Sequence, residues 1–171
     1  PEDWSGGSEE WKRLRRRSRR LVREGYQKIL SFQGSSGGFA LYPGNEPTSR
    51  LTAYGLLQMT AIDAAIGDID ASGVIDRASD WLVRQRRSGG SWPADGRADA
   101  LMQTTLAVWA LAESPGGEGV SKALDEGVAQ IEDQLGDPST SPYHRALAAN
   151  ALLAAGQQGR AQSLLDRLAE V

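Results

Sequence analysis

Groups able to do covalent or metal chemistry are scarce in this sequence. The 171 residues contain one histidine, His144, and no cysteine. Without cysteine there is no thiolate nucleophile, no disulfide and no Cys-bound zinc. His144 stands between Tyr143 and Arg145 near a predicted helix start. A single imidazole outside any paired-carboxylate motif reads as a structural or exposed residue, not as a metal ligand or base. Ser35, Ser36 and Ser91 lie in glycine-rich loops with no histidine in sequence to complete a triad. Asp63, Asp68, Asp70 and Asp76 gather around one predicted loop. Paired carboxylates can exchange protons, but Asp68 and Asp70 stand where helix caps belong. Neither glycine loop, at 34–38 or 116–119, is followed by Lys-Ser or Lys-Thr in register, which excludes a phosphate-cradling P-loop. The residues therefore predict no catalytic group, no cofactor site and no metal site.

Charge points the same way. The net charge is −3, but Lys12, Arg13, Arg15, Arg16, Arg17, Arg19, Arg20 and Arg23 crowd into residues 12–23 with no acid among them. Such a run suits nucleic acid or an anionic membrane surface. Yet Trp11, Leu14, Leu21, Val22, Tyr26 and Ile29 recur at helical spacing, which predicts one buried apolar face and leaves the arginines on the wet one. No aromatic residue interleaves with the arginines to stack on bases. The favoured reading is a solvated face, with no nucleic-acid partner. No apolar run approaches the ~18 residues of a membrane span, so no direct membrane insertion is expected.

These residues must be held by helices. Residues 1–7 read as a disordered lead-in, and the opening at Pro1, without Met or signal sequence, reads as a piece excised from a larger protein. Ser8, followed by Glu9 and Glu10, starts a first helix running to about Phe32. Thr48 or Ser49 caps a second helix through Leu51, Tyr54, Leu57 and Ile62. After a loop over 67–73, a third runs through Ile75, Ala78, Trp81 and Leu82 and ends before Ser88. A fourth spans about Asp99 to Glu113, a fifth about Val120 to Leu135, a sixth 142–155 and a seventh 158–170, the last two joined by a turn over 156–159. No stretch alternates long enough to argue for a sheet. Short connections predict antiparallel neighbours. Trp81, Trp92 and Trp109 are expected in the core.

An internal repeat sharpens the picture. The segment 33–39 reads Gln-Gly-Ser-Ser-Gly-Gly-Phe, and 85–92 reads Gln-Arg-Arg-Ser-Gly-Gly-Ser-Trp. The glutamines are offset by 52 positions, and Leu51-Thr52-Ala53-Tyr54 echoes Thr104-Thr105-Leu106-Ala107 at nearly that offset. In each turn the first glycine, Gly37 or Gly89, is expected to take a left-handed conformation ending a helix. The second, Gly38 or Gly90, lets the chain cross close to a neighbour. The aromatic, Phe39 or Trp92, plugs the hairpin end. A third unit near Gln134 and Gly136 is degenerate. Repeated hairpins stack side by side, and a curved stack can close into a ring.

At these residues the sequence resembles the thioester domain of the alpha-2-macroglobulin and complement family. The stretch from Glu24 to Leu30, then Gly37-Gly38-Phe39-Ala40-Leu41 and Leu51-Thr52-Ala53-Tyr54, carries the likeness, continued by Trp81-Leu82, Gln85, Gly90 and Trp92. The alanine-rich 146–155 and 156–160 resemble bacterial members most. The likeness covers about residues 9–170 and rests on the order and spacing of the motifs together.

The resemblance implies an all-α fold, a partial α/α toroid of about seven helices in antiparallel hairpins, forming one domain over 1–171. It implies a role in protease trapping and inhibition, outside a bacterial cell or in its periplasm, with target proteases and the other domains of the same large protein as partners. The family's Cys-x-Glu-Gln motif lies on a helix before the region matched by Trp11, and this chain contains no such motif. Relatives that transfer their thioester to hydroxyl groups use a histidine in the loop between the counterparts of Trp92 and Met102, and no histidine stands there. No catalytic residue is carried over, and no enzymatic turnover is expected. Two alternatives remain: a non-covalent interaction module that has lost thioester chemistry, and a fragment of a toroid enzyme. Gln85–Trp92 is similar to the Gln–Trp repeats of triterpene cyclases, but Asp68-Ile69-Asp70 lacks the third aspartate of their acid motif. Protein prenyltransferases of the same shape need a cysteine for their zinc.

Overall fold

Hydropathy divides the helices into two alternating kinds. The computed structural model describes residues 9–66, 69–94, 99–137 and 140–169. Among these it contains seven helices, α1 (Glu9–Leu30), α2 (Ser49–Ala65), α3 (Ser72–Gln85), α4 (Ala100–Glu113), α5 (Val120–Leu135), α6 (Pro142–Ala154) and α7 (Gln158–Ala169). Helix α4 is apolar nearly all round, α2 and α6 have no marked polar face but leave one side exposed, and α1, α3, α5 and α7 are strongly two-faced. A helix apolar on every side must be covered on every side, and a two-faced helix belongs at the surface. The packing follows. Helix α4 lies between α2 and α6 in an inner row, and α3, α5 and α7 pair with α2, α4 and α6 as an outer row. The chain is thus all-α, a segment of an α/α toroid, and its one pairing of extended residues among those described is the isolated bridge between Gln33 and Phe39.

Caps fix the helix starts. The Thr48 hydroxyl accepts from the Leu51 N–H at 3.3 Å, the Asp99 carboxylate from Met102 at 2.7 Å, and the Ser141 hydroxyl from His144 at 3.3 Å, with Pro142 opening α6. Helix α3 has no side-chain bond at its cap residue Ala71. Two aspartates of the acidic loop serve instead. Asp63 Oδ1 accepts from Ala71 N at 3.1 Å, and Asp70 Oδ1 accepts from both the N–H and the hydroxyl of Ser72. Those bonds, the hydroxyl's first, hold the exposed Asp70 carboxyl below its ordinary value. Their support for folding is complete above the unfolded carboxylate range and is lost as pH falls through the lowered value.

Several expectations shift. The glycines do not end the helices: α1 stops at Leu30 and α3 at Gln85, at least four residues earlier. Gly73 and Gly159 lie inside α3 and α7, not in loops. Trp109 is half-buried, its indole N–H reaching the Glu113 carboxylate at 3.3 Å. The largest departure is α1. Its stripe is buried only at Tyr26 and partly at Val22, Ile29 and Leu30, while Trp11, Leu14 and Leu21 are 51–53% exposed. Helix α1 packs mainly on α2 and has no inner helix beside its first half among the described residues. The lead-in 1–7 with Trp4, the Ser8 cap and Asp68 lie outside the described residues.

Candidate functional site

The residues singled out by the repeat form two buried joints. In the first, Gly34 N–H donates to Gly38 O at 2.8 Å and Gly37 N–H to Gly34 O at 3.0 Å. In the second, Arg87 N–H donates to Ser91 O at 2.9 Å and Gly90 N–H to Arg87 O at 3.1 Å. Gly37 therefore corresponds to Gly90, Gly38 to Ser91 and Phe39 to Trp92. The register is 53 through the turn, one more than the glutamines suggest. It returns to 52 on the inner helices, where Thr52 and Thr104 hydroxyls accept from the N–H groups of Phe39 and Trp92 at 2.9 and 3.3 Å.

Each joint leans on the next outer helix. Gly37 has φ +97° and sits against the Arg77 carbonyl of α3; Gly90 has φ +84° and sits against the Glu126 carbonyl of α5. Gly38 does not take a left-handed conformation. Its need is space, since a Cβ there would lie 2.5 Å from Pro47 Cβ and 2.6 Å from the Trp81 ring. Gly89 is left-handed at +92° but faces open room. Gln33 Nε2 donates to Gly37 O and Val74 O, both at 2.9 Å, and its Oε1 accepts from Arg77 at 2.8 Å. In the second joint an ion pair replaces that amide clamp, Arg86 Nε to Glu126 Oε2 at 3.3 Å. Phe39 is 3% exposed, at the wall of an apolar cleft, and Trp92 is 0% exposed. The six turn residues hold the hairpins together and present no reactive group. The two joints are not brought to one site.

One polar constellation escaped the sequence reading. His144 Nε2 lies 2.9 Å from Asp99 Oδ2, and its Nδ1 lies 3.0 Å from the Ser141 hydroxyl. With the ring proton on Nε2, His144 donates to Asp99 and accepts from Ser141. Asp99 caps α4 with its other oxygen, and Ser141 caps α6, so the imidazole ties the starts of two neighbouring inner helices. The signal was available: Asp99 and His144 both sit at starts of alternate helices, which a stack of hairpins brings side by side. The three side chains border an open cleft of about 400 Å³ with Gln134, Asp137 and Thr140. Asp99→Ala should cost about 1–2 kcal/mol in urea unfolding, and Asp99→Asn, which keeps a cap, under about 1 kcal/mol. Equal losses for the two would contradict the cap assignment.

The comparisons with known proteins bear on this architecture. The sequence matches the family described as the A-macroglobulin TED domain over residues 6–171. The chain belongs to that family. Among curated proteins, this TED domain is similar to "Thioester-containing protein 1 allele S1" of Anopheles gambiae, 24% identical over 163 residues, covering 88% of this chain and 12% of the relative. Allele R1 is 23% identical over 155 residues, covering 84% and 11%. Allele S3 is 29% identical over 77 residues, covering 45% and 6%. The TED domain thus spans about an eighth or less of the length of these relatives, and the family match over 6–171 includes both glycine joints.

Proposed function

We propose that this chain is the helical thioester-type domain of a bacterial alpha-2-macroglobulin-like protein, and that it serves protease trapping outside the cell or in the periplasm. The observation that carries the reading is the whole-length TED match, supported by relatives whose printed names are thioester-containing proteins. Its partners are the target protease and the other domains of the same protein, and the domain itself turns over no substrate. Its joints are built for rigidity. Buried aromatics and backbone-to-backbone contacts suit a body that moves as one piece when the surrounding protein rearranges.

The second reading is a non-covalent interaction module that has lost thioester chemistry. Two of the clefts do not set convergent acids in an apolar cavity, as a cyclase would need. The apolar one, lined by Ile29, Phe32, Leu41, Leu51 and Tyr54 among others, contains no carboxylate. The one bearing Asp99 and Asp137 contains a single leucine. The test is methylamine treatment of the full-length protein followed by mass spectrometry. A methylamine adduct on a glutamine of a Cys-x-Glu-Gln motif outside these residues is the expected result and means covalent trapping. An unmodified protein would leave the interaction module.

A further inference from the structure

Ser141, His144 and Asp99 stand in the order that acyl transfer uses: a hydroxyl, an imidazole, a carboxylate. The Ser141 hydroxyl lies 3.0 Å from His144 Nδ1, and His144 Nε2 lies 2.9 Å from Asp99 Oδ2. Capping asks for less than this. A cap needs Ser141 Oγ to accept from the His144 N–H, which it does at 3.3 Å, and needs nothing of the imidazole. Other contacts place the ring. Asp99 holds Nε2, and the second oxygen of that carboxylate is itself held by the Met102 N–H at 2.7 Å. The Tyr143 ring meets the imidazole edge-on, with centroids 5.7 Å apart. As a carboxylate Asp99 only accepts, so the neutral ring carries its proton on Nε2, and the Nδ1 lone pair faces the Ser141 hydroxyl.

The hydroxyl oxygen has two lone pairs. One takes the His144 N–H, and the other remains for attack on an electrophile. Ser141 also stands at the N-terminal end of α6, whose positive pole favours negative charge developing beside it. The three side chains border the cleft of about 400 Å³, where Asp99 is 53% exposed and His144 22%, so a small molecule reaches them from solvent. The cleft lies between the starts of α4 and α6 and the end of α5, inside the stack of hairpins.

We propose that Ser141 is an acyl-accepting nucleophile, with His144 as its base and Asp99 as the residue that positions the base. Ser141 Oγ attacks the carbonyl carbon of an ester, and its proton passes to His144 Nδ1. The C–O bond to the leaving group breaks, and the leaving oxygen takes that proton from Nδ1 and departs as an alcohol. A serine ester and a neutral imidazole remain. Among the described residues the lining is polar apart from Leu101 and includes Asp137 as a second carboxylate, which suits a short ester without negative charge. This single transfer is separate from protease trapping and needs no turnover.

The experiment is labelling of the full-length protein with diisopropyl fluorophosphate, with peptide mass spectrometry to place and time the adducts. In that reaction the bond from Ser141 Oγ to phosphorus forms, the P–F bond breaks, fluoride leaves and the proton passes to His144. Ser141 should be labelled at least about 100-fold faster than Ser35 and Ser36, exposed serines of the first joint. Two variants separate the base from the caps. Asp99→Asn keeps an oxygen for the Met102 N–H but turns an amide toward Nε2, which moves the ring proton to Nδ1. Labelling should fall at least about 100-fold while circular dichroism and the urea midpoint stay near the parent's. His144→Gln keeps the backbone N–H that Ser141 caps and should bring Ser141 down to the rate of Ser35. Labelling of Ser141 no faster than Ser35 in the parent protein would overturn the proposal, and so would undiminished labelling in a folded Asp99→Asn variant.

Discussion

Trp92→Ala should lower stability by about 3–5 kcal/mol, the largest loss expected from any single truncation in the chain. Trp92 is wholly buried at the second joint, where it touches three helices. Its indole N–H donates to the Leu82 carbonyl at 2.8 Å. That carbonyl belongs to the last turn of α3, whose final four C=O groups have no partner within the helix. The ring edge rests over Gly127 of α5, where an added Cβ would stand 3.2 Å from Trp92 Cζ3. The Trp92 backbone N–H donates to Thr104 of α4. Removing the ring opens a cavity between α3, α4 and α5 and orphans the carbonyl. Trp92→Phe should fill most of the volume and leave only the orphan, a loss of about 1–3 kcal/mol. Urea unfolding of both variants is the measurement. Equal losses would mean that the hydrogen bond matters more than the cavity; no loss in Trp92→Ala would remove the joint as a structural unit.

The joints were legible in sequence because they are local. A Gly-Gly followed shortly by an aromatic, twice, between helices, marks where the joints fall, and Phe39 and Trp92 are buried there, although the pattern does not show which glycine is left-handed. Helix order was legible for a related reason. The apolar spacing along the chain gave seven helices in order, while their division into an inner and an outer row is seen only in the packing. What was not legible depended on contacts across the stack. The one-residue slip between turn and inner helix shows only when the Thr52 and Thr104 hydroxyls are paired with their donors. The His144–Asp99 bond joins residues 45 positions apart and leaves no periodic trace. In helix α1 the arginines are exposed as their spacing predicts, and the apolar stripe is buried at Tyr26 and partly at Val22, Ile29 and Leu30. The stripe over Trp11, Leu14 and Leu21 has the same spacing as one that is buried.

Gly90→Val should be nearly as damaging, by about 3–5 kcal/mol, from two separable causes. The first is conformation. Gly90 holds φ at +84°, a region where a β-branched residue is strained by its own backbone. The second is room. A Cβ at Gly90 would strike the Glu126 carbonyl and stand 2.9 Å from Glu126 Cβ. The obstacle is the backbone of α5, so relief requires moving a helix and not turning a side chain. That movement would also stretch the Arg86–Glu126 ion pair, which lies at the same contact. Gly89 separates the two causes. It is left-handed at +92° with nothing within 4 Å of an added Cβ, so Gly89→Val should bear only the conformational strain, about 1–2 kcal/mol. For a chain of this size the Gly90 variant should melt roughly 10 °C below the parent, and the Gly89 variant by about half that or less. Thermal unfolding of the pair tests the reasoning directly. A larger loss at Gly89 than at Gly90 would show that dihedral strain alone governs the turn, and that the close approach to α5 relaxes without cost.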